Sequence, residues 1–152
     1  MVERAITRVL APVELSERGE PDLSYAIRLA AQLRAELILV AVIDSAATAR
    51  FIARHRTEPE GNQSFSEVLV KDAEVILQEI VDKAATQGVK AWGHATVNEE
   101  VEVQILNEAL LHKVDLILVR SHGRSGISKA LLGSTAGDII KAAPCPVLVA
   151  RI

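Results

Sequence analysis

A chain of 152 residues with a formal net charge of −3 is about one domain long and exerts no global pull on a polyanion. Hydrophobic residues make up 49% of it and aromatic ones only 3%, so the core must be aliphatic and a base-stacking platform for nucleic acid is lacking. One cysteine rules out an internal disulfide, no apolar run approaches the roughly 18 residues of a membrane span, and the N-terminus carries no apolar signal segment, so the expectation is a cytoplasmic protein with neither membrane nor nucleic-acid partners.

Taken in order, the chain alternates strand-length apolar runs with helical periodicity. Val9-Leu-Ala, ending at Pro12, is the first strand. After a polar loop from Glu14, Pro21-Asp22 is placed to open a helix whose apolar positions Leu23, Ala26, Ile27, Ala30 and Leu33 share one face. Glu36 to Ile43 is a continuous apolar run after one charge, as expected of a strand covered on both sides of a parallel sheet.

The pattern fails from Asp44 to Ser66, where Arg50, Arg54, His55 and Arg56 precede Pro59, Gly61 and Asn62. This segment reads as a long mobile loop, with a turn of helix over Ala46 to Ala53, and serves as either a lid or a solvated insertion. Ser66 to Gln87 restores helical spacing through Val70, Ala73, Ile76, Leu77, Ile80 and Ala84, and Gly88 is placed to end that helix. Val89 to Val97 is the third strand. Another amphipathic helix, with Val101, Val103, Ile105, Leu106 and Ala109, leads to Val114–Val119 as strand four, and Val147–Ala150 is strand five. Five alternating units predict an α/β fold: a single domain over residues 1–152, with an open parallel sheet and helices on both faces.

The stretch from Val119 to Thr135 carries the chemistry. It follows an apolar strand, is rich in Gly, Ser and basic residues, and runs into a helix that Ser134 or Thr135 can cap; Thr135 and Asp138 also have the spacing of a weak capping box. Glycines at 123, 126 and 133 let a ligand approach main-chain N–H groups, and the start of a helix favours negative charge. Such a loop either cradles phosphate or is an ordinary capped surface loop.

These residues resemble the nucleotide-binding signature of the universal stress protein family, Gly-x-x-Gly followed by nine residues and Gly-Ser or Gly-Thr. Gly123, the spacer Arg124–Leu132 and Gly133-Ser134 match its later parts, whereas Arg120 stands where the family has its first glycine. Val9-Leu-Ala-Pro-Val13 resembles the family's opening strand and Ala143-Pro-Cys-Pro-Val-Leu-Val149 its closing one. The resemblance implies a strand order of 3-2-1-4-5, with an adenine nucleotide (ATP, ADP or AMP) between strands one and four as a signal or stabilising ligand, and magnesium only in company with that nucleotide. It also implies a homodimer formed through strand five, Val147, Leu148, Val149 and Ala150.

Carried over residue by residue, the resemblance gives Pro12, Val13 and Glu14, the last replacing a shorter Asp, to the adenine and ribose, and the main chain of Val42 to the adenine edge. Gly123, Gly133 and Ser134 go to the phosphates; Gly126 and Thr135 of the same loop join them, and Arg124, like Lys129 in the spacer, is either a phosphate contact or a solvated loop residue. Arg120 has three readings. It plugs the pocket, pairs its guanidinium with phosphate, or lies at the surface. The alternative function is a nucleotide-free interaction module of the same fold, closed by Arg120 and Glu14 and working through protein partners.

Other chemistry finds little support. The four histidines lack the short paired spacings of a zinc site. Cys145, flanked by two prolines, reads as a structural thiol, and His122 has no visible catalytic partner. Neither the Gly-x-x-x-x-Gly-Lys-Ser/Thr loop nor Gly-x-Gly-x-x-Gly occurs, so the expectation is no enzyme, or at most slow ATP hydrolysis.

Overall fold

The computed structural model describes residues 2–15, 22–46, 49, 53, 65–120 and 134–151. Five parallel strands, β1 (Arg8–Pro12), β2 (Glu36–Asp44), β3 (Ala91–Asn98), β4 (Leu116–Arg120) and β5 (Val147–Ala150), form one sheet in the order β3-β2-β1-β4-β5. The helices are α1 (Ser24–Leu33), α2 (Phe65–Thr86), α3 (Val101–Leu111) and α4 (Ser134–Ala142).

The apolar runs of β1, β2 and β4 are continuous because both of their faces are covered. Val9, Ala11, Leu37, Leu39, Ala41, Leu116 and Leu118 pack with α1 and α2 on one side. Leu10, Ile38, Val40, Ile117 and Val119 pack with Ile105 and Ala109 of α3 and Ile139 of α4 on the other. The expected apolar positions of α1 fall on the buried side, with Leu33 only half-buried. On α3 the pattern is looser, since Val103 is exposed. Close approach of α2 to the sheet needs a residue without a side chain at 93: a Cβ on Gly93 would lie 2.8 Å from Leu77 Cβ.

Three helix-to-strand turns use one device. Ala35 N–H reaches Ala30 O at 2.9 Å, Val89 reaches Ala84 O at 2.9 Å and Val114 reaches Ala109 O at 3.0 Å, each across a preceding left-handed residue. These are the long backbone bonds of a Schellman-type helix end. Gly88, with φ +74°, takes that conformation without steric cost, but Arg34 (φ 54°) and Lys113 (φ 51°) do so with a Cβ.

Several boundaries shift from those read in the sequence. Strand three begins at Ala91 because Val89 and Lys90 belong to the turn, and strand four begins at Leu116 and extends to Arg120. Helix α1 starts at Ser24, two residues beyond Asp22; Leu23 holds the cap position without a side-chain cap bond, and the Asp22 carboxylate accepts the Ser24 N–H at 3.0 Å in a turn that leads into the helix. Of the segment expected to be a mobile loop, residues 45, 46, 49 and 53 are helical, and most of the remainder lies outside the described residues.

At the end of the sheet where β1 and β4 begin, Asp115 ties the two together. Its carboxylate accepts the Thr7 N–H at 2.9 Å, the Thr7 hydroxyl at 2.8 Å and the Arg8 N–H at 3.1 Å. The Thr7 amide, followed by the Thr7 hydroxyl and Arg8, holds the Asp115 carboxyl below the usual range against the opposing effect of burial.

Candidate functional site

Strands β1 and β4 are neighbours, with Val9 beside Leu116 and Leu10 beside Ile117, yet the chain leaves β1 towards β2 and leaves β4 towards β5. The sheet therefore changes winding direction between them, and their carboxyl ends flank the position where open α/β sheets form a ligand crevice. Pro12, Val13 and Glu14 stand at one lip of that crevice and Arg120 at the other.

Each predicted residue in the described region has a definite place. Val13 is buried, and its N–H is already committed to Val40 O at 2.8 Å, so this amide serves the sheet. Glu14 is exposed just beyond β1. Val42, half-buried against the α3/α4 side, lies in register with Thr96 near the end of β2. Ser134 opens α4, which puts Thr135 inside the first turn and not at the cap position that a Thr135–Asp138 box requires. Gly123, Arg124, Gly126 and Gly133 lie outside the described residues, as do Lys129 and His122.

Arg120 is the last residue of β4, exposed and in register with Ala150. Its guanidinium donates to the main-chain oxygen of Asp22 at 3.0 Å, a contact between residues 98 apart in sequence. The side chain thus runs from the end of β4 to the entry of α1. Hydrogen bonding to Ser24, through its side chain and then its backbone, holds the Asp22 carboxyl below its ordinary range, with smaller contributions from the Arg120 and Arg28 charges.

A second polar group, away from the crevice, escaped the sequence reading. Glu108 of α3 is buried, and its carboxylate lies 2.9 Å from His112 Nε2, 3.4 Å from His94 Nε2 and 3.0 Å from the donating Gln104 Nε2. Asn98 of β3 donates to Gln104 at 3.0 Å, and Trp92 meets the His112 ring edge-on with centroids 4.7 Å apart. Trp92 also donates to Glu36 at 2.8 Å. Residues 92, 94 and 98 of β3 thus face His112, which caps the end of α3, and residues 108 and 104 within it, in a polar ladder. The available signal was spacing, since Gln104, Glu108 and His112 recur every four residues on one helical stripe.

Among the described residues, no three His, Cys, Asp or Glu side chains are arranged to hold a metal ion, and no helix is long and apolar enough to cross a membrane. Cys145 is a free, half-buried thiol whose pKa is raised, by burial first and then by the Asp115 charge, as in an inert thiol.

The universal stress protein family model matches residues 5–151, nearly the whole chain. The chain belongs to the universal stress protein family. A universal stress protein of Methanocaldococcus jannaschii, MJ0531, is 30% identical over 151 residues, covering 98% of this chain and 84% of the relative. Universal stress protein YxiE of Bacillus subtilis is 29% identical, with coverages of 95% and 98%. The fold is shared with the universal stress protein UspA from Lactobacillus plantarum, at a TM-score of 0.70, 22% identity and coverages of 96% and 98%. It is also shared with an Archaeoglobus fulgidus universal stress protein solved in complex with dAMP, at a TM-score of 0.61, 19% identity and coverages of 97% and 98%. Another universal stress protein, solved in complex with cAMP, has a TM-score of 0.61 and 21% identity over 97% of this chain and 98% of its own.

Proposed function

We propose that this universal stress protein binds an adenine nucleotide, ATP, ADP or AMP, in the crevice between β1 and β4, as a signal or stabilising ligand in a cytoplasmic stress response. The observation that carries the reading is the reversal of strand order between β1 and β4, which brings the ends of the two strands to one crevice. The relatives solved with cAMP and dAMP support it. In this reading Pro12, Val13, Glu14 and Val42 face the nucleoside. Gly123, Arg124, Gly126, Gly133, Ser134 and Thr135 face the phosphates, and magnesium enters only with the nucleotide. Because the Val13 amide is used by β2, the contact at this position falls to its carbonyl oxygen.

The same reading makes the protein a homodimer through β5. Among the described residues that strand stands at the end of the sheet order, beside β4, and consists of apolar residues; an apolar edge strand is a template for pairing. A second reading, a nucleotide-free interaction module, draws on the Arg120 contact with Asp22, which ties the β4 lip of the crevice to the entry of α1. Mass spectrometry of small molecules released on denaturing protein purified without added nucleotide separates the two. Adenine nucleotide recovered near protein stoichiometry supports the first, and none recovered, together with no binding in titration, supports the second.

A further inference from the structure

We propose that Arg120 determines the ligand class of the crevice by selecting phosphorylated adenine ligands over the bare nucleoside, an inference that rests on the nucleotide reading above. The Arg120 guanidinium donates to the Asp22 carbonyl oxygen at 3.0 Å and joins the end of β4 to the entry of α1. The bonded oxygen is a neutral carbonyl, the Asp22 carboxylate adds only a smaller charge interaction with the guanidinium, and the contact is exposed. A phosphate oxygen is the stronger acceptor for a guanidinium, because the bond gains charge assistance and the planar fork can engage two oxygens together.

A ligand entering between β1 and β4 meets this latch. Adenosine offers only neutral acceptors, no better than the Asp22 carbonyl, so it must bind beneath the latch or exchange the contact without gain. A nucleoside phosphate gives the guanidinium a better partner, and the latch transfers from carbonyl to phosphate. Asp22 remains satisfied on its other side, since its carboxylate keeps the Ser24 N–H at 3.0 Å and the helix entry does not depend on the latch alone. Obstruction and participation are then two states of one side chain. It obstructs the nucleoside and assists the nucleotide.

The test compares adenosine, AMP and ATP by titration calorimetry on the wild type, Arg120→Ala and Arg120→Gly, with magnesium present throughout and thermal unfolding recorded for each variant. Transfer predicts that both substitutions weaken ATP about tenfold or more while adenosine binds equally well or more tightly, so the ATP-to-adenosine preference collapses. Equal gains for all three ligands would make Arg120 a plain plug and overturn the inference. An unchanged preference would overturn it alone, leaving the nucleotide reading intact. Failure of every ligand to bind every folded variant would sink both. Hydrogen exchange of the ligand-free protein gives an independent readout: amides from Ser24 to Ile27 should exchange faster in Arg120→Ala, and unchanged exchange there would mean that the contact with Asp22 does not hold α1.

Discussion

Glu108→Ala is the sharpest test of how α3 is held to the edge of the sheet. The substitution removes the carboxylate that His112 and Gln104 hydrogen-bond at 2.9 and 3.0 Å and that stands 3.4 Å from His94. A hydrogen bond to a charged group contributes roughly 1.5–3 kcal/mol, and the substitution removes two of them. The lower part of that range applies, because the His94 side chain is 47% exposed and that of His112 27%, so water replaces part of what they lose. A loss of roughly 2–3 kcal/mol lowers Tm by about 4–12 °C in a domain of this size. Urea unfolding of Glu108→Ala, His112→Ala and the double variant should give a coupling energy of about 1 kcal/mol or more. Additivity within about 0.3 kcal/mol would show that the His112 contact contributes no stability, and the ladder would be an arrangement without energetic consequence.

Gly93→Ala should destabilise by roughly 1–3 kcal/mol, because the new Cβ lies 2.8 Å from Leu77 Cβ and α2 must move; an unchanged urea midpoint would contradict the close approach. Lys113→Gly should stabilise by about 0.5–1 kcal/mol in thermal unfolding by relieving a left-handed residue with φ 51°, and a loss of stability would show that the lysine side chain makes a contact of its own. Asp115 has a folded pKa below its ordinary 3.8, so its stabilising contribution is present above that pH and disappears as pH falls through the folded value. The stability gap between wild type and Asp115→Asn should therefore be largest near neutrality and close on acidification, and a gap independent of pH would refute the assignment. Gly133→Val should weaken ATP binding in titration calorimetry without unfolding the domain, and unchanged affinity would remove the glycine loop from the site. Val149→Lys should convert the proposed dimer to monomer in sedimentation, a result that counts only where circular dichroism shows the fold retained; a wild type already monomeric at micromolar concentration would end the β5 proposal.

The parts of the fold that were legible in the sequence are those set by burial on a large scale. Glu36 to Ile43 reads as a strand because two layers of helix cover it, and Leu37 to Ala41 are indeed all buried. The α2 pattern through Ala73, Leu77, Ile80 and Ala84 is that of a helix with one face on the sheet. The turns were less legible. Gly88 announces its left-handed conformation, whereas Arg34 and Lys113 adopt it because Ala35 and Val114 are drawn back onto the preceding helices, a tertiary demand with no local signature. Glu108 was hidden for the opposite reason. A charged residue between Leu106 and Ala109 looks like the solvated side of an amphipathic helix, and only the position of β3 at the sheet edge brings His94 to it.

At the crevice, sequence reading placed the residues but could not supply their connections. Arg120 stood out because a family glycine is absent, and three readings of its side chain followed from that substitution alone. None included Asp22, because nothing in the sequence links positions 98 apart until the order β1-β4 sets the entry of α1 beside the end of β4. Once that link exists, the arginine has a partner within the protein, and under the proposed transfer its effect on a ligand is a difference between two bonds. That difference would depend on the charge of the incoming acceptor, so the same residue would oppose a nucleoside and favour its phosphate. A glycine at this position offers no side chain with which to make the distinction.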